Sequence, residues 1–109
     1  MYKKICKLYF DYFSRKDLTS LAEIFAENIT LRDWEISAKG KTEVISANMK
    51  IFEAVETIKV VPINLYEEKN TVIAELEIKI NNKENLFVVD VISFEESGKI
   101  ESIRAYKGN

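Results

Sequence analysis

The hydrophobic pattern of the chain changes near its middle, and this change limits the folds that are open to it. In the first half, apolar residues recur mainly at helical spacing. From residue 71 to residue 80 every second side chain is apolar, which is typical of a β-strand with one buried face. Short polar turns then separate two more strand-like segments. Helices followed by an antiparallel meander predict an α+β fold, with three N-terminal helices on the concave face of a curved antiparallel sheet.

The same patterns predict the individual elements. The apolar face of the first helix is formed by Ile5, Leu8, Tyr9, Tyr12 and Phe13. Asp17 is placed to cap a second helix, residues 37–41 are expected to form a loop, and residues 42–55 form a third helix. The predicted strands cover residues 28–34, 57–66, 71–80, 86–94 and 99–107. Within the second of them, Pro62 indicates an edge strand or a bulge.

The composition is that of an ordinary globular domain and excludes several functions. A chain of 109 residues, 47% apolar and 31% charged, is expected to form one domain over residues 1–109. Its net charge is −2 with acidic and basic residues interspersed, so there is no electrostatic basis for binding nucleic acid. No apolar run is long enough to cross a membrane, and the N-terminus lacks a signal peptide's apolar region. We therefore expect neither nucleic acid nor a membrane as partner.

Two residue types narrow the chemistry further. Cys6 is the only cysteine, so no intrachain disulfide can form, which favours a reducing, cytoplasmic location. The sequence has no histidine, which removes serine–histidine and cysteine–histidine catalysis and histidine-ligated metal sites. Acid–base chemistry must then come from carboxylates, tyrosines or lysines, and we expect no metal and no other cofactor.

Asp90 lies within residues 86–94, a segment that otherwise has the composition of a strand buried on both faces. A buried carboxyl is costly unless a partner neutralises it or its surroundings raise its pKa and keep it protonated. A protonated carboxyl in an apolar site can donate a hydrogen bond. The alternative is an ion pair with Arg104 on the neighbouring strand. Strand alternation argues against that pair, because Arg104 points outward if Ile103 and Ala105 point inward.

Three other polar residues occupy positions that are unusual for a purely structural domain. Tyr9 lies on the apolar face of the first helix, where its hydroxyl needs a partner. Asp33 ends a strand beside Trp34, where it could act as a base or could simply cap backbone amides. Asn48 interrupts the apolar side of the third helix, and its amide also needs hydrogen bonds. Each of the three therefore has a structural explanation beside the functional one.

Together with Tyr9, the segments Ile24–Asp33, Val89–Phe94 and Ile103–Tyr106 resemble the nuclear transport factor 2-like (SnoaL-like) superfamily, and most closely its Δ5-3-ketosteroid isomerase branch. The resemblance covers nearly the whole chain. It implies a cone-shaped half-barrel whose interior forms a ligand pocket, and a homodimer formed through the sheet.

The isomerase pattern implies catalytic roles for three residues. Tyr9 and a protonated Asp90 match the two donors that stabilise an enolate oxygen, and Asp33 matches the general base. Trp34 stands where the isomerases usually have proline, and Asn48 stands in place of a tyrosine on the third helix. The implied substrate pocket is formed by Phe13, Phe25, Trp34, Asn48, Phe52, Val88, Ile92, Ile103 and Ala105.

The function implied by this resemblance is proton transfer next to the carbonyl group of a small apolar ketone or enone. Two alternatives stay open, because this fold hosts unrelated functions. One is a polyketide cyclase/SnoaL-like enzyme in which Asp33 acts as an acid or base. The other is a non-catalytic small-molecule-binding or dimerisation domain. The expected partners are a small apolar ligand and a second copy of the chain, which would bind an outer sheet face that includes Phe87, Val89 and Val91.

Overall fold

The computed structural model describes residues 1–108 and contains three helices and six strands within them. The helices are α1 (Tyr2–Ser14), α2 (Leu18–Ile24) and α3 (Lys41–Ala54). The strands are β1 (Phe25–Arg32), β2 (Ser37–Lys39), β3 (Ile58–Glu68), β4 (Thr71–Ile80), β5 (Glu84–Phe94) and β6 (Ile100–Lys107). All three predicted helices and all five predicted strands are present, with ends that differ by a few residues.

The strands form one curved, unclosed sheet in the order β2-β1-β6-β5-β4-β3. β3 to β6 make the predicted antiparallel meander. β1, however, runs parallel to β6, so the sheet is mixed rather than antiparallel throughout. Parallel neighbours require a long crossover, and here α3 and the meander lie between β1 and β6 in the sequence. With the helices packed against the sheet, the predicted cone-shaped α+β fold is confirmed.

The prediction of a plain loop at residues 37–41 is wrong, because Ser37–Lys39 form the short edge strand β2. It pairs with the end of β1, where Leu31 lies opposite Ala38. Three residues are too few for an alternating pattern to be recognised in the sequence. Gly40 then starts α3 with a φ of 88°, a left-handed conformation that favours glycine.

Helix α1 buries a face that is rotated from the predicted one. Its buried residues are Cys6, Tyr9 and Phe10, whereas the predicted core residue Leu8 is 44% exposed. Tyr12 and Phe13 pack at the margin of the core. The buried positions still follow the helical repeat, so the rotation keeps Tyr9 inside the fold.

Local signals in the sequence are confirmed at two other places. Asp17 caps α2, since its carboxylate accepts hydrogen bonds from the Ser20 amide (3.1 Å) and hydroxyl (2.7 Å). Pro62 lies in the edge strand β3, at a register shift between Pro62 and Asn64. Within residues 1–108, no helix is long and apolar enough to cross a membrane.

The side chain of Lys16 connects α1 to the end of α3. Its Nζ donates to the carbonyl oxygens of Phe52 (2.9 Å), Val55 (2.6 Å) and Glu56 (3.0 Å). Carbonyls at a helix C-terminus lack intrahelical partners, and a cation suits the negative end of the helix dipole. This contact fixes the position of α3 relative to α1, and the two helices carry Asn48 and Tyr9.

Candidate active site

The interior of the cone contains a cavity of about 280 Å³. Side chains from α1, α3, the β1–β2 loop and the sheet line it, and most of them are apolar. The four polar residues singled out in the sequence all line the cavity: Tyr9, Asp33, Asn48 and Asp90. The cavity is therefore an apolar space with a few polar groups, which is the usual character of a small-molecule site.

Tyr9 projects from α1 into the aromatic part of the core. Its ring lies 5.4 Å from the ring of Phe10 and 5.9 Å from that of Phe13, measured between centroids. The residue is 7% exposed, and no hydrogen bond among residues 1–108 involves its hydroxyl. Burial, and then the negative charge of Asp90, raise the pKa of Tyr9 well above its usual value. The phenol is consequently a protonated donor facing an apolar cavity.

Asp90 occupies the middle of β5, where Ala74 and Ala105 are its partners on the neighbouring strands. These small neighbours leave space beside the carboxyl, which is 6% exposed. Burial, and then the charge of Asp33, raise the pKa of Asp90 to about 7. The alternative ion pair is not formed among the described residues: Arg104 lies opposite Val91, on the other face of the strand.

Asp33 follows β1 and begins the loop at the cavity wall. Its Oδ1 accepts hydrogen bonds from the amides of Glu35 (2.7 Å) and Ile36 (2.6 Å), so it does cap backbone amides as the structural alternative proposed. Within the part of the chain that is described, its Oδ2 takes part in no hydrogen bond. One oxygen therefore fixes the carboxylate, and the second is left for another partner.

Trp34 extends the wall of the cavity towards solvent and is 43% exposed. The Nζ of Lys107 lies 5.9 Å from the centroid of its ring, within the range of a cation–π interaction. The C-terminal strand thus contacts the β1–β2 loop beside the cavity.

Asn48 reaches the cavity from α3 and is only 2% exposed. It follows Val44 and precedes Phe52 on the buried side of that helix. Its Nδ2 is buried and has no hydrogen-bond partner within residues 1–108. Since an unsatisfied buried donor costs about 1–3 kcal/mol, this residue lowers stability where it stands.

The charged residues that line the described part of the cavity are all acidic. These residues are Asp33, Glu35 and Asp90, and none of the described lining residues is lysine or arginine.

Cys6 lies near Asp90, and burial raises the pKa of its thiol to about 12, so the thiol stays protonated and unreactive. In residues 1–108, no group of three possible metal ligands is close enough to hold a metal ion. The arrangement combines an anchored carboxyl group, Asp33, with a protonated phenol, Tyr9, and a buried carboxyl group of raised pKa, Asp90.

The substrate-pocket residues implied by the resemblance divide into two groups. Six of them line the cavity: Phe13, Trp34, Asn48, Val88, Ile103 and Ala105. The other three, Phe25, Phe52 and Ile92, lie in the core behind the lining. Phe25 packs against Tyr9 and Phe52 against Phe13, with centroid separations of 6.0 and 4.8 Å, so these two rings support the lining residues instead of facing the space. Ile92 is fully buried within the sheet.

Several lining residues were not expected from the sequence. Phe10, Leu31, Ile36 and Ile51 were missed, as were apolar residues on three strands: Ile58, Val60, Leu76, Ile78, Ile80 and Leu86. Part of this set could have been found, because Leu76, Ile78 and Ile80 continue the alternating face of β4 that includes Val72 and Ala74.

Solved structures with the same fold are numerous, and their names indicate different activities. A candidate ketosteroid isomerase from Kribbella flavida superposes with a TM-score of 0.83 at 12% identity, covering 99% of this chain and 78% of that one. A candidate polyketide cyclase from Sinorhizobium meliloti gives 0.85 at 16% identity, covering 94% and 93%. SalBIII, an epoxide hydrolase/cyclase-like enzyme of pyran ring formation in salinomycin, gives 0.79 at 23% identity, covering 98% and 90%. At these identities the likeness concerns the fold alone.

The sequence itself matches no curated protein. It does match a family model, that of the SnoaL-like domain, over residues 7–103. This match covers most of the chain and includes Tyr9, Asp33, Asn48 and Asp90. The chain belongs to the SnoaL-like family of nuclear transport factor 2-like domains.

Proposed function

We propose that the protein is an isomerase-like enzyme that moves a proton next to the carbonyl group of a small, uncharged ketone or enone. The observation that carries this proposal is the meeting of Tyr9, Asp33 and Asp90 at one apolar cavity, with the Tyr9 and Asp90 side chains free of hydrogen bonds within residues 1–108. Donors without partners in a dry site are available to a ligand oxygen.

The proposed reaction has two proton-transfer steps. The free Oδ2 of Asp33 removes a proton from the carbon beside the carbonyl, and the electron pair of the broken C–H bond moves onto the carbonyl oxygen. The Tyr9 hydroxyl and the protonated Asp90 donate hydrogen bonds to the resulting enolate. Asp33 then returns the proton to the same carbon or, in an enone, to a conjugated one. Preorganised donors of this kind each contribute about 2.7–4 kcal/mol in enzymes where one has been removed.

The cavity restricts the substrates. A volume of about 280 Å³ lies at the lower limit of ligand pockets, which span roughly 300–1,000 Å³. This favours molecules of one or two rings over a steroid. The acidic side chains Asp33 and Glu35 at the wall disfavour carboxylates and phosphates, because like charges repel in a site of low polarity.

The test is exchange of substrate protons for deuterium, followed by NMR in D₂O with one- and two-ring enones. The Asp33→Asn variant retains an oxygen that can accept from the Glu35 and Ile36 amides, so the loop is preserved while the base is removed. We expect exchange to be lost in this variant. Asp11→Asn, which changes an exposed carboxylate on α1, is the matched control and should exchange like the original protein. Equal exchange by both variants would contradict the proposal.

A second candidate reaction is ring closure of an epoxy alcohol, as in a cyclase. It is favoured by the presence at one cavity of two carboxyl groups in different surroundings, Asp33 and Asp90, the second with its pKa raised to about 7. Asp90 would protonate the epoxide oxygen while Asp33 accepts the proton of the attacking hydroxyl group. Cyclic ether formation without any exchange of ketone protons would select this reaction, and ligand binding with neither reaction would indicate a non-catalytic binding domain.

We also propose that two copies of the chain associate through the outer face of the sheet. Three large apolar side chains are strongly exposed there: Ile73 at 40%, Phe87 at 47% and Tyr106 at 51%. Ile73 pairs with Val91 and Tyr106 with Val89 on β5, so the exposed residues adjoin an apolar strip along β5, with Glu75, Glu77 and Arg104 on the same face. Surfaces of this kind usually mark an interaction site.

A further inference from the structure

Asn48 is the buried polar residue of the cavity that the proposed reaction does not use. The residue is only 2% exposed and lines the cavity. Its Nδ2 has no hydrogen-bond partner among residues 1–108. Leucine or methionine at this position of α3 would cost nothing in hydrogen bonding and would favour the helix more than asparagine does. The asparagine is therefore a net cost to the free protein.

Asn48 reaches the cavity from an element other than those that carry the two donors of the proposed reaction. Tyr9 projects from α1 and Asp90 from β5, whereas Asn48 enters from α3. Because a carbonyl oxygen has two lone pairs, an oxygen that accepts from both Tyr9 and Asp90 leaves the Asn48 amide to a different atom of the same ligand. An amide donor requires an acceptor, and the acidic wall of the cavity disfavours a charged one.

We infer that Asn48 is a specificity-determining residue that donates a hydrogen bond to a second, uncharged oxygen of the ligand. The substrate class is then a compact molecule with two oxygen acceptors, such as a diketone or a hydroxy ketone, and not a ketone with a single oxygen. This inference deepens the proposed function and rests on it in one respect, namely that the cavity binds a ketone. A site with an amide donor rejects analogues that lack the matching acceptor, because the donor is then left buried and unpaired.

The experiment compares two matched probes. One is a two-ring enone, an octalone with an angular methyl group, and the other is the corresponding enedione, which adds a second ketone on the other ring. Trp34 is the only tryptophan and lines the cavity, so its fluorescence measures binding of both probes directly. We expect the enedione to bind the original protein about threefold to tenfold more tightly, as one net hydrogen bond provides.

Asn48→Leu should remove this preference, so that both probes bind with equal affinity. Asn48→Met is the second variant, because an unbranched side chain adapts to the space if leucine does not fit. Thermal unfolding should show both variants to be at least as stable as the original protein. Equal affinity of the original protein for the two probes, as expected if water satisfies the amide, would overturn the inference. So would a preference for the enedione that survives in both variants.

Deuterium exchange of the same probes separates this inference from the proposed function. Exchange by the original protein, with an enedione preference unaffected by either variant, would overturn the role of Asn48 and leave the reaction standing. A preference that disappears in both variants, without exchange in any protein, would support the role of Asn48 and overturn the reaction.

Discussion

Asp33 and Asp90 lie on the wall of one cavity, but their carboxyl groups have different surroundings. Burial, followed by the charge of Asp33, raises the pKa of Asp90 to about 7. Asp33 is anchored through one oxygen, which accepts hydrogen bonds from two backbone amides. Two carboxyl groups with different environments can therefore serve as base and acid in the same site.

The first prediction concerns the pH dependence of proton exchange. Asp90 can donate a hydrogen bond only while protonated, so kcat/KM of the original protein should fall as the pH rises through about 7. In Asp90→Asn the amide is a donor at every pH, so this decline should disappear while activity below pH 7 is retained in part. Exchange rates measured from pH 5 to pH 9 test the prediction, and the same alkaline decline in the variant would rule out Asp90 as its cause.

The second prediction concerns stability. Asp90 has a pKa of about 7 in the folded protein against an ordinary value of 3.8, so the folded state binds more protons than the unfolded state between these two values. Its favourable contribution is complete below pH 3.8 and is lost as the pH rises through about 7, to an extent of the order of 4 kcal/mol. The free energy of unfolding of the original protein relative to Asp90→Asn should decrease over this range. A constant difference would contradict burial of an ionisable Asp90.

Pairing the two proteins isolates this effect from other carboxylates. Asp17, for example, has its pKa lowered by hydrogen bonds from Ser20, which makes the folded state less stable as the pH falls through its pKa. That contribution is the same in both proteins and cancels in the difference. Urea unfolding at closely spaced pH values gives the required free energies.

The third prediction separates catalysis from stability at Tyr9. Tyr9→Phe keeps the ring that packs against Phe10, Phe13 and Phe25 and removes only the hydroxyl. Because that hydroxyl has no partner within residues 1–108, the melting temperature should stay the same or rise. Loss of an enolate donor should lower kcat by about 100-fold to 1,000-fold. A variant that melts earlier but exchanges normally would assign Tyr9 a purely structural role.

Much of the site could be predicted because its polar residues interrupt apolar patterns. Asp90 stands out within an apolar strand, and Asn48 within a helix face, and both prove to be buried. What local pattern does not encode is pairing between distant segments, which is why the parallel contact of β1 with β6 was missed. It also does not fix which way a core ring points, so Phe25 and Phe52 were placed on the cavity instead of behind it.

The fourth prediction concerns the contact between Lys16 and the end of α3. Lys16→Met retains the apolar part of the side chain but removes three hydrogen bonds to carbonyl oxygens. Hydrogen bonds from a charged group contribute about 1.5–3 kcal/mol, so we expect the free energy of unfolding to fall by about that amount. Lys7→Met, at an exposed position of α1, is the control and should change it by less than about 0.5 kcal/mol. Equal effects of the two variants would show that the Lys16 contact does not stabilise the fold.

The last prediction concerns association through the outer face of the sheet. In a symmetric dimer, the face that includes Ile73, Phe87 and Tyr106 packs against the same face of the second copy. A charge introduced there would face an apolar surface and the same charge on the other copy. Phe87→Glu should therefore be monomeric at micromolar concentration in sedimentation experiments, whereas we expect the original protein to be a dimer under the same conditions. Leu8→Glu is the matched control, because Leu8 is similarly exposed at 44% but lies on α1, away from this face. A monomeric original protein would show that there is no such interface. Dissociation by Leu8→Glu but not by Phe87→Glu would show that the interface lies elsewhere.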